Sequence, residues 1–183
     1  MRFSEKQISL RDGRTALLRA PRPDIAEAEE TVRYLHTASG ETEFLSYYPE
    51  ELPFTPESEQ KYLQANLDAP NTMMIVCEVD GRMAGNCQLV FFTKQKEAHR
   101  AVVMIALLRE FWNLGIGSAM FSEMIAAARE KNVEQLELCY VEGNERAAAL
   151  YRRMGFEVMA VHPDAFRLKD GSMRSEVFMR RKL

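Results

Sequence analysis

Cysteine and histidine are both scarce in this chain, three of each among 183 residues, and neither set clusters. Cys77, Cys87 and Cys139 are odd in number, widely spaced and set in apolar, strand-like surroundings. They read as reduced core thiols, not as a disulfide frame or a zinc site. His36, His99 and His162 are equally scattered, so no ligand cluster forms and no metal is expected. Long hydrophobic runs are missing too. No apolar stretch approaches the roughly 18–20 residues that span a bilayer. The opening Met1-Arg2-Phe3-Ser4 lacks the apolar centre of a signal peptide. A cytoplasmic chain with no membrane partner is expected. Excess positive charge is also lacking, with 24 Lys and Arg against 27 Asp and Glu and a formal charge of −3. That balance argues against a nucleic-acid partner, and Arg180-Arg181-Lys182 reads as a solvated end.

What is present suits one domain spanning residues 1–183, long enough to bury a core without staples. Lys6–Leu10 and Thr15–Ala20 flank an Asp12-Gly13 turn and predict a hairpin. Asp24 opens a Glu- and Ala-rich helix to about Thr37, with acids in its first turn. Ser39 to Pro53 is irregular and rich in glutamate, with Tyr47 and Tyr48 adjacent. Thr55-Pro56-Glu57 starts a second helix, to about Leu67. Thr72–Val79, Met83–Thr93 and Ala101–Leu108 then read as an antiparallel meander.

After the meander the pattern changes. Ile116, Met120, Met124 and Ala128, with Phe121 and Ile125, form an apolar stripe at helical spacing. Val133–Val141 is a strand, Asn144 caps another helix, and Gly155 stops it. Strand, helix and strand in this order make a crossover, so Ala101–Leu108 and Val133–Val141 should be parallel neighbours. Phe156–Val161 and Ser175–Arg181 add a closing pair. The outcome is one α/β (α+β) domain with a mixed sheet.

Between the meander and the striped helix lies Trp112-Asn113-Leu114-Gly115-Ile116-Gly117-Ser118. A strand feeding a glycine-rich turn and then a helix leaves unpaired amides beside the positive end of the helix dipole. That suits a phosphate or pyrophosphate. Alone, the two glycines are compatible with several nucleotide folds.

Farther on, Asn144-Glu145-Arg146-Ala147-Ala148-Ala149-Leu150-Tyr151-Arg152-Arg153-Met154-Gly155-Phe156 follows the strand ending at Val141. Taken with the upstream turn, this N-x-x-A-x-x-L-Y-x-x-x-G-F segment resembles the GNAT N-acetyltransferase family. The resemblance is strong over residues 98–156 and looser at both ends. It implies a mostly antiparallel sheet flanked by about four helices, whose one parallel strand pair splays apart. It also implies acetyl-CoA as co-substrate, whose pantetheine arm enters the splay and whose thioester an amine attacks directly.

Several roles come with the resemblance. Leu107 and Leu108 would contact the pantetheine arm. The backbone of Leu114, Gly115, Ile116, Gly117 and Ser118 would hold the pyrophosphate. Asn144 would help hold the splayed strand and the arm, and Tyr151 would protonate the leaving sulfur. An amine acceptor also needs a base, because an ammonium is not a nucleophile. Val102 stands where the family often has a glutamate. Glu43, Glu78, Glu142 or a backbone-held water remain for that role. Glu43 ranks first because it lies in the irregular acidic segment where a substrate wall is expected. Trp112 stands where the family most often has Arg or Gln, which argues for weaker cofactor affinity. The acceptor is an amine-bearing small molecule or a peptide N-terminus. Family members often pair as homodimers through their C-terminal strands or a sheet edge. The rival reading is a module that binds acyl-CoA and has lost catalysis.

Overall fold

The computed structural model describes residues 1–183. β1 (Lys6–Ser9) and β2 (Thr15–Arg19) make the expected hairpin. α1 (Ile25–Glu41) begins at Asp24, whose carboxylate accepts the Glu27 amide at 2.8 Å. It runs past Thr37 because Tyr34 and Ala38 are buried, so tertiary packing carries it through Ser39 and Gly40, both weak helix formers. α2 (Pro56–Asp68) starts in a capping box between Thr55 and Ser58. β3 (Thr72–Val79), β4 (Arg82–Phe91) and β5 (Arg100–Leu107) are the antiparallel meander.

α3 (Ile116–Glu130), β6 (Gln135–Val141) and α4 (Glu145–Arg153) follow, then β7 (Glu157–Arg167) and β8 (Met173–Lys182). β6 starts two residues after Val133, whose amide is still bonded to the Ala128 carbonyl at the exit of α3. β7 and β8 form a longer hairpin than the sequence suggests. Bulges near Met159 and between His162 and Phe166 let β7 continue through Pro163.

All eight strands form one sheet in the order β1-β2-β3-β4-β5-β6-β8-β7, antiparallel except for β5 and β6. From Thr72 to Cys77 every residue of β3 is buried, so both sheet faces are covered there. Cys77 and Cys87 lie in this core. Cys139 does not. Leu136 and Leu138 take the covered face of β6, and strand alternation turns Cys139 to the exposed one. Along β7, residues 157–164 are all exposed, and the strand is an edge of the sheet.

Candidate active site

The parallel strands separate soon after they meet. Only Arg100, Ala101 and Val102 of β5 pair with Gln135, Leu136 and Glu137 of β6. The Arg100 guanidinium bridges to the Glu137 carboxylate at 3.0 Å and pins the closed end. Beyond Val102, β5 continues only with β4, and beyond Glu137, β6 continues only with β8. A gap opens between them. Leu108 N–H donates to Ala84 C=O and Phe92 N–H to Arg100 C=O, so even-numbered β5 residues face β4. The backbone groups of Val103, Ile105 and Leu107 therefore face the gap.

Leu107 and Leu108 differ in what they leave free. Both Leu108 backbone groups are taken, by Ala84 C=O and by Phe111 N–H. The Leu107 carbonyl accepts the Trp112 indole N–H at 2.8 Å, while its amide faces the gap. Val103 and Ile105 were not visible as candidates in the sequence, because only the pairing shows which strand edge is open. On the β4 side, the Tyr34 hydroxyl of α1 donates to the Ala106 carbonyl at 3.0 Å. That contact spans 72 residues and has no sequence signal.

At the mouth of the gap, α3 begins on Gly115 in the left-handed region, with φ of 98°. The first helical bond runs from Ala119 N–H to Gly115 C=O, so the amides of Ile116, Gly117 and Ser118 have no intrahelical acceptor. The other three helices each carry a side-chain cap, from Asp24, Thr55 and Asn144, and an acid in the first turn. α3 has neither. Gly115 and Gly117 are glycine for different reasons. A Cβ on Gly115 would point into open space but strain the backbone, whereas one on Gly117 would press on Leu150 of α4.

Tyr151 lies on α4 in an aromatic cluster. Its ring centre is 5.6 Å from Phe121 and 5.9 Å from Tyr140, which stands on the part of β6 that has left β5. The residue is buried, and burial pushes its phenol up to about 12. The hydroxyl makes no hydrogen bond. Ser172 Oγ is the sole fully buried side-chain polar atom without a partner, so the Tyr151 hydroxyl reaches accessible space. Asn144 Oδ1 is occupied as the α4 cap, accepting from Ala147 N–H at 3.2 Å. Its amide nitrogen is free to donate.

Glu43 is exposed and lines a cavity of about 400 Å³ with Ser39, Glu41, Tyr48, Glu50 and Lys169. Next to it, Phe44 lies against Gly143, the residue preceding Asn144. The acidic segment thus covers the end of β6. The Glu142 carboxylate accepts the Ser175 N–H, which holds it below the usual carboxylate range. Glu78 is instead committed to Arg19 at 3.0 Å, between β2 and β3. Lys169 joins the cavity walls: its amide donates to the Tyr48 hydroxyl, its ammonium pairs with Glu50 and lies over the Tyr48 ring. No group of three His, Cys, Asp or Glu side chains is arranged to hold a metal ion. No helix is long and apolar enough to cross a membrane.

A splayed parallel pair beside an uncapped helix N-terminus combines open strand edges with free amides of the kind that bind phosphate. The Acetyltransferase (GNAT) family profile matches residues 37–156, more than half of the chain, and the chain belongs to that family of acyltransferase enzymes. Similar proteins carry related names. The L-amino acid N-acetyltransferase AaaT of Escherichia coli is 24% identical over 130 residues, 70% of this chain and 76% of that protein. A GNAT-family acetyltransferase structure from Streptococcus pneumoniae superposes with a TM-score of 0.83 at 23% identity, covering 92% of this chain and 99% of that one. An acetyltransferase from Salmonella typhimurium, solved with its cofactor acetyl-CoA, gives 0.75 at 17% identity over 91% of this chain and 92% of that one.

Proposed function

We propose that this chain is an acetyl-CoA-dependent N-acetyltransferase that acts on a primary amine within a ternary complex. The observation that carries this reading is α3, the one helix left without cap or acid, opening beside the gap between β5 and β6. Its residues fit the cofactor. The amides of Leu114 to Ser118 hold the pyrophosphate, and the gap-facing backbone of Val103, Ile105 and Leu107 pairs with the pantetheine arm. The amide nitrogen of Asn144 donates to that arm from the opposite wall.

Acetyl-CoA supplies an acyl group activated as a thioester. Tyr151 keeps its proton at neutral pH, because burial disfavours the phenolate, and donates it to the departing sulfur. Glu43 accepts the proton of the acceptor amine, directly or through water. With Glu50 paired to Lys169, the carboxylates of Glu41 and Glu43 on the cavity wall favour a cationic amine, on a small molecule or a peptide N-terminus. The name of the AaaT relative puts free L-amino acids in the first acceptor panel.

The test has two stages. CoA at 100 times its dissociation constant should stabilise the fold by about 2.7 kcal/mol, read by thermal unfolding. Acetyl-CoA should then release free thiol only when a suitable amine is present. A chain that CoA does not stabilise, or that releases no amine-dependent thiol across free amino acids, polyamines and peptides, contradicts the reading.

A second copy of the chain is the partner proposed for the β7 edge. Val158, Met159 and Val161 are 50%, 43% and 53% exposed on an edge strand that pairs with β8 on one side alone. In an antiparallel self-pairing centred between Met159 and Ala160, Val158 meets Val161 and Glu157 meets His162, so the segment complements itself. Sedimentation should show a dimer that Val161→Lys dissociates. A monomer at every concentration rules the edge out.

A further inference from the structure

Trp112 departs from the residue usual at its position, and its surroundings indicate what it does instead. The Arg146 guanidinium of α4 lies 4.6 Å from the indole centre, and the Arg109 guanidinium lies 5.6 Å from it. The indole N–H, bonded to the Leu107 carbonyl, fixes the ring at the end of β5. Two cations are therefore stacked on one anchored aromatic plate, directly before the first turn of α3.

No ion pair reaches the guanidinium groups around this plate; the Glu41 carboxylate beside it accepts the Arg109 backbone N–H at 2.7 Å. Arg146 donates to Asn113 Oδ1 at 2.7 Å, Arg109 to the Glu41 carbonyl, and nearby Arg11 to the Asn113 carbonyl at 3.4 Å. All three guanidinium groups thus rest on neutral acceptors. Other arginines also lack a carboxylate partner, Arg181 among them, but Trp112 is the one ring with two guanidinium groups stacked on it. In a chain of net charge −3, three guanidinium groups gathered around Trp112 and Asn113 make a local positive field that suits an anion.

We infer that Arg146, held flat on Trp112 and backed by Arg109, binds the 3′-phosphate on the ribose of CoA and sets a preference for CoA over its 3′-dephospho form. This rests on the cofactor reading above. The backbone amides at the α3 start carry fractional charge and suit the two singly charged phosphates of the pyrophosphate. The ribose phosphate is a monoester, nearly a dianion at neutral pH, and a planar guanidinium offers it paired donors. Trp112 therefore strengthens cofactor recognition, opposite to what its place in the motif suggests.

The experiment is calorimetric titration of the whole chain with CoA and with 3′-dephospho-CoA. The native protein should prefer CoA by about 10- to 100-fold, the range of a charge-assisted hydrogen-bond pair. Arg146→Gln should remove most of that preference while binding dephospho-CoA as the native chain does. Trp112→Ala should reduce the preference as well, because Arg146 loses its support. Equal binding of the two ligands by the native chain overturns the inference but leaves the cofactor reading standing. So does an Arg146→Gln variant that loses affinity for both ligands in equal proportion, or one that keeps the full preference. Failure of the native chain to bind either ligand overturns both readings.

Discussion

Replacing Tyr151 by Phe should lower turnover by about 10²–10³, the range for loss of a general acid, while CoA binds as before. The ring must stay, because it packs against Phe121, Tyr140 and Phe156. Phe preserves that packing and removes the hydroxyl, which has no protein partner to orphan. The effect should therefore fall on kcat, with thermal stability almost unchanged. The pH dependence follows from the same burial. With its phenol pushed up to about 12, Tyr151 should impose no alkaline decline in activity near neutrality. Its folded value lies above the ordinary phenol value of about 10. The associated stability is thus complete below about pH 10 and is lost as the pH rises toward about 12. Steady-state kinetics and CoA titration of the variant check this. Unchanged turnover removes Tyr151 from the mechanism.

The largest loss of stability should come from Glu27→Ala. Glu27 and Arg19 form an ion pair at 2.8 Å with both side chains 6% exposed. The Glu27 carboxylate also accepts the Arg22 amide at 2.8 Å. Removing it leaves a buried guanidinium with Glu78 as its one carboxylate partner and strands the Arg22 N–H, at a cost of about 3–5 kcal/mol. That is a large share of the 5–15 kcal/mol by which domains are typically stable. The function depends on it indirectly, because this pair ties β2 to the start of α1, and α1 carries Tyr34, Glu41 and the adjoining Glu43 toward the gap. Urea unfolding at neutral pH checks the figure. A cost under about 1 kcal/mol would show that the pair is not sealed from water. The double change Arg19→Met with Glu27→Leu should recover most of the loss, because no charge is then left buried.

The local code and the long-range contacts were legible to different degrees. Asp24, Thr55 and Asn144 were readable as helix starts because a cap acts within three residues. The Asp12-Gly13 turn and the meander were readable for the same reason. The parallel pairing of β5 and β6 followed from the strand-helix-strand order. Its limit at Val102 and Glu137 did not, because the opposing strand ends carry no local mark of where pairing stops.

The site divides in the same way. Gly115 and Gly117 announce a turn, but only the structure distinguishes the backbone need of the first from the helix contact of the second. Glu27 reads in sequence as one more acid in a first turn, yet it is half of a buried pair with Arg19. Tyr34 and Glu41 reach the site across contacts of 72 and 68 residues. Cys139 misled because an apolar strand has two faces, and composition alone does not say which is covered.

The most direct test of the account is diffraction from crystals of this chain grown with CoA. The pyrophosphate should accept hydrogen bonds from the amides of Ile116, Gly117 and Ser118, the arm should run between β5 and β6, and the sulfur should lie beside the Tyr151 hydroxyl. CoA bound elsewhere, or in the gap with its sulfur away from Tyr151, would contradict it.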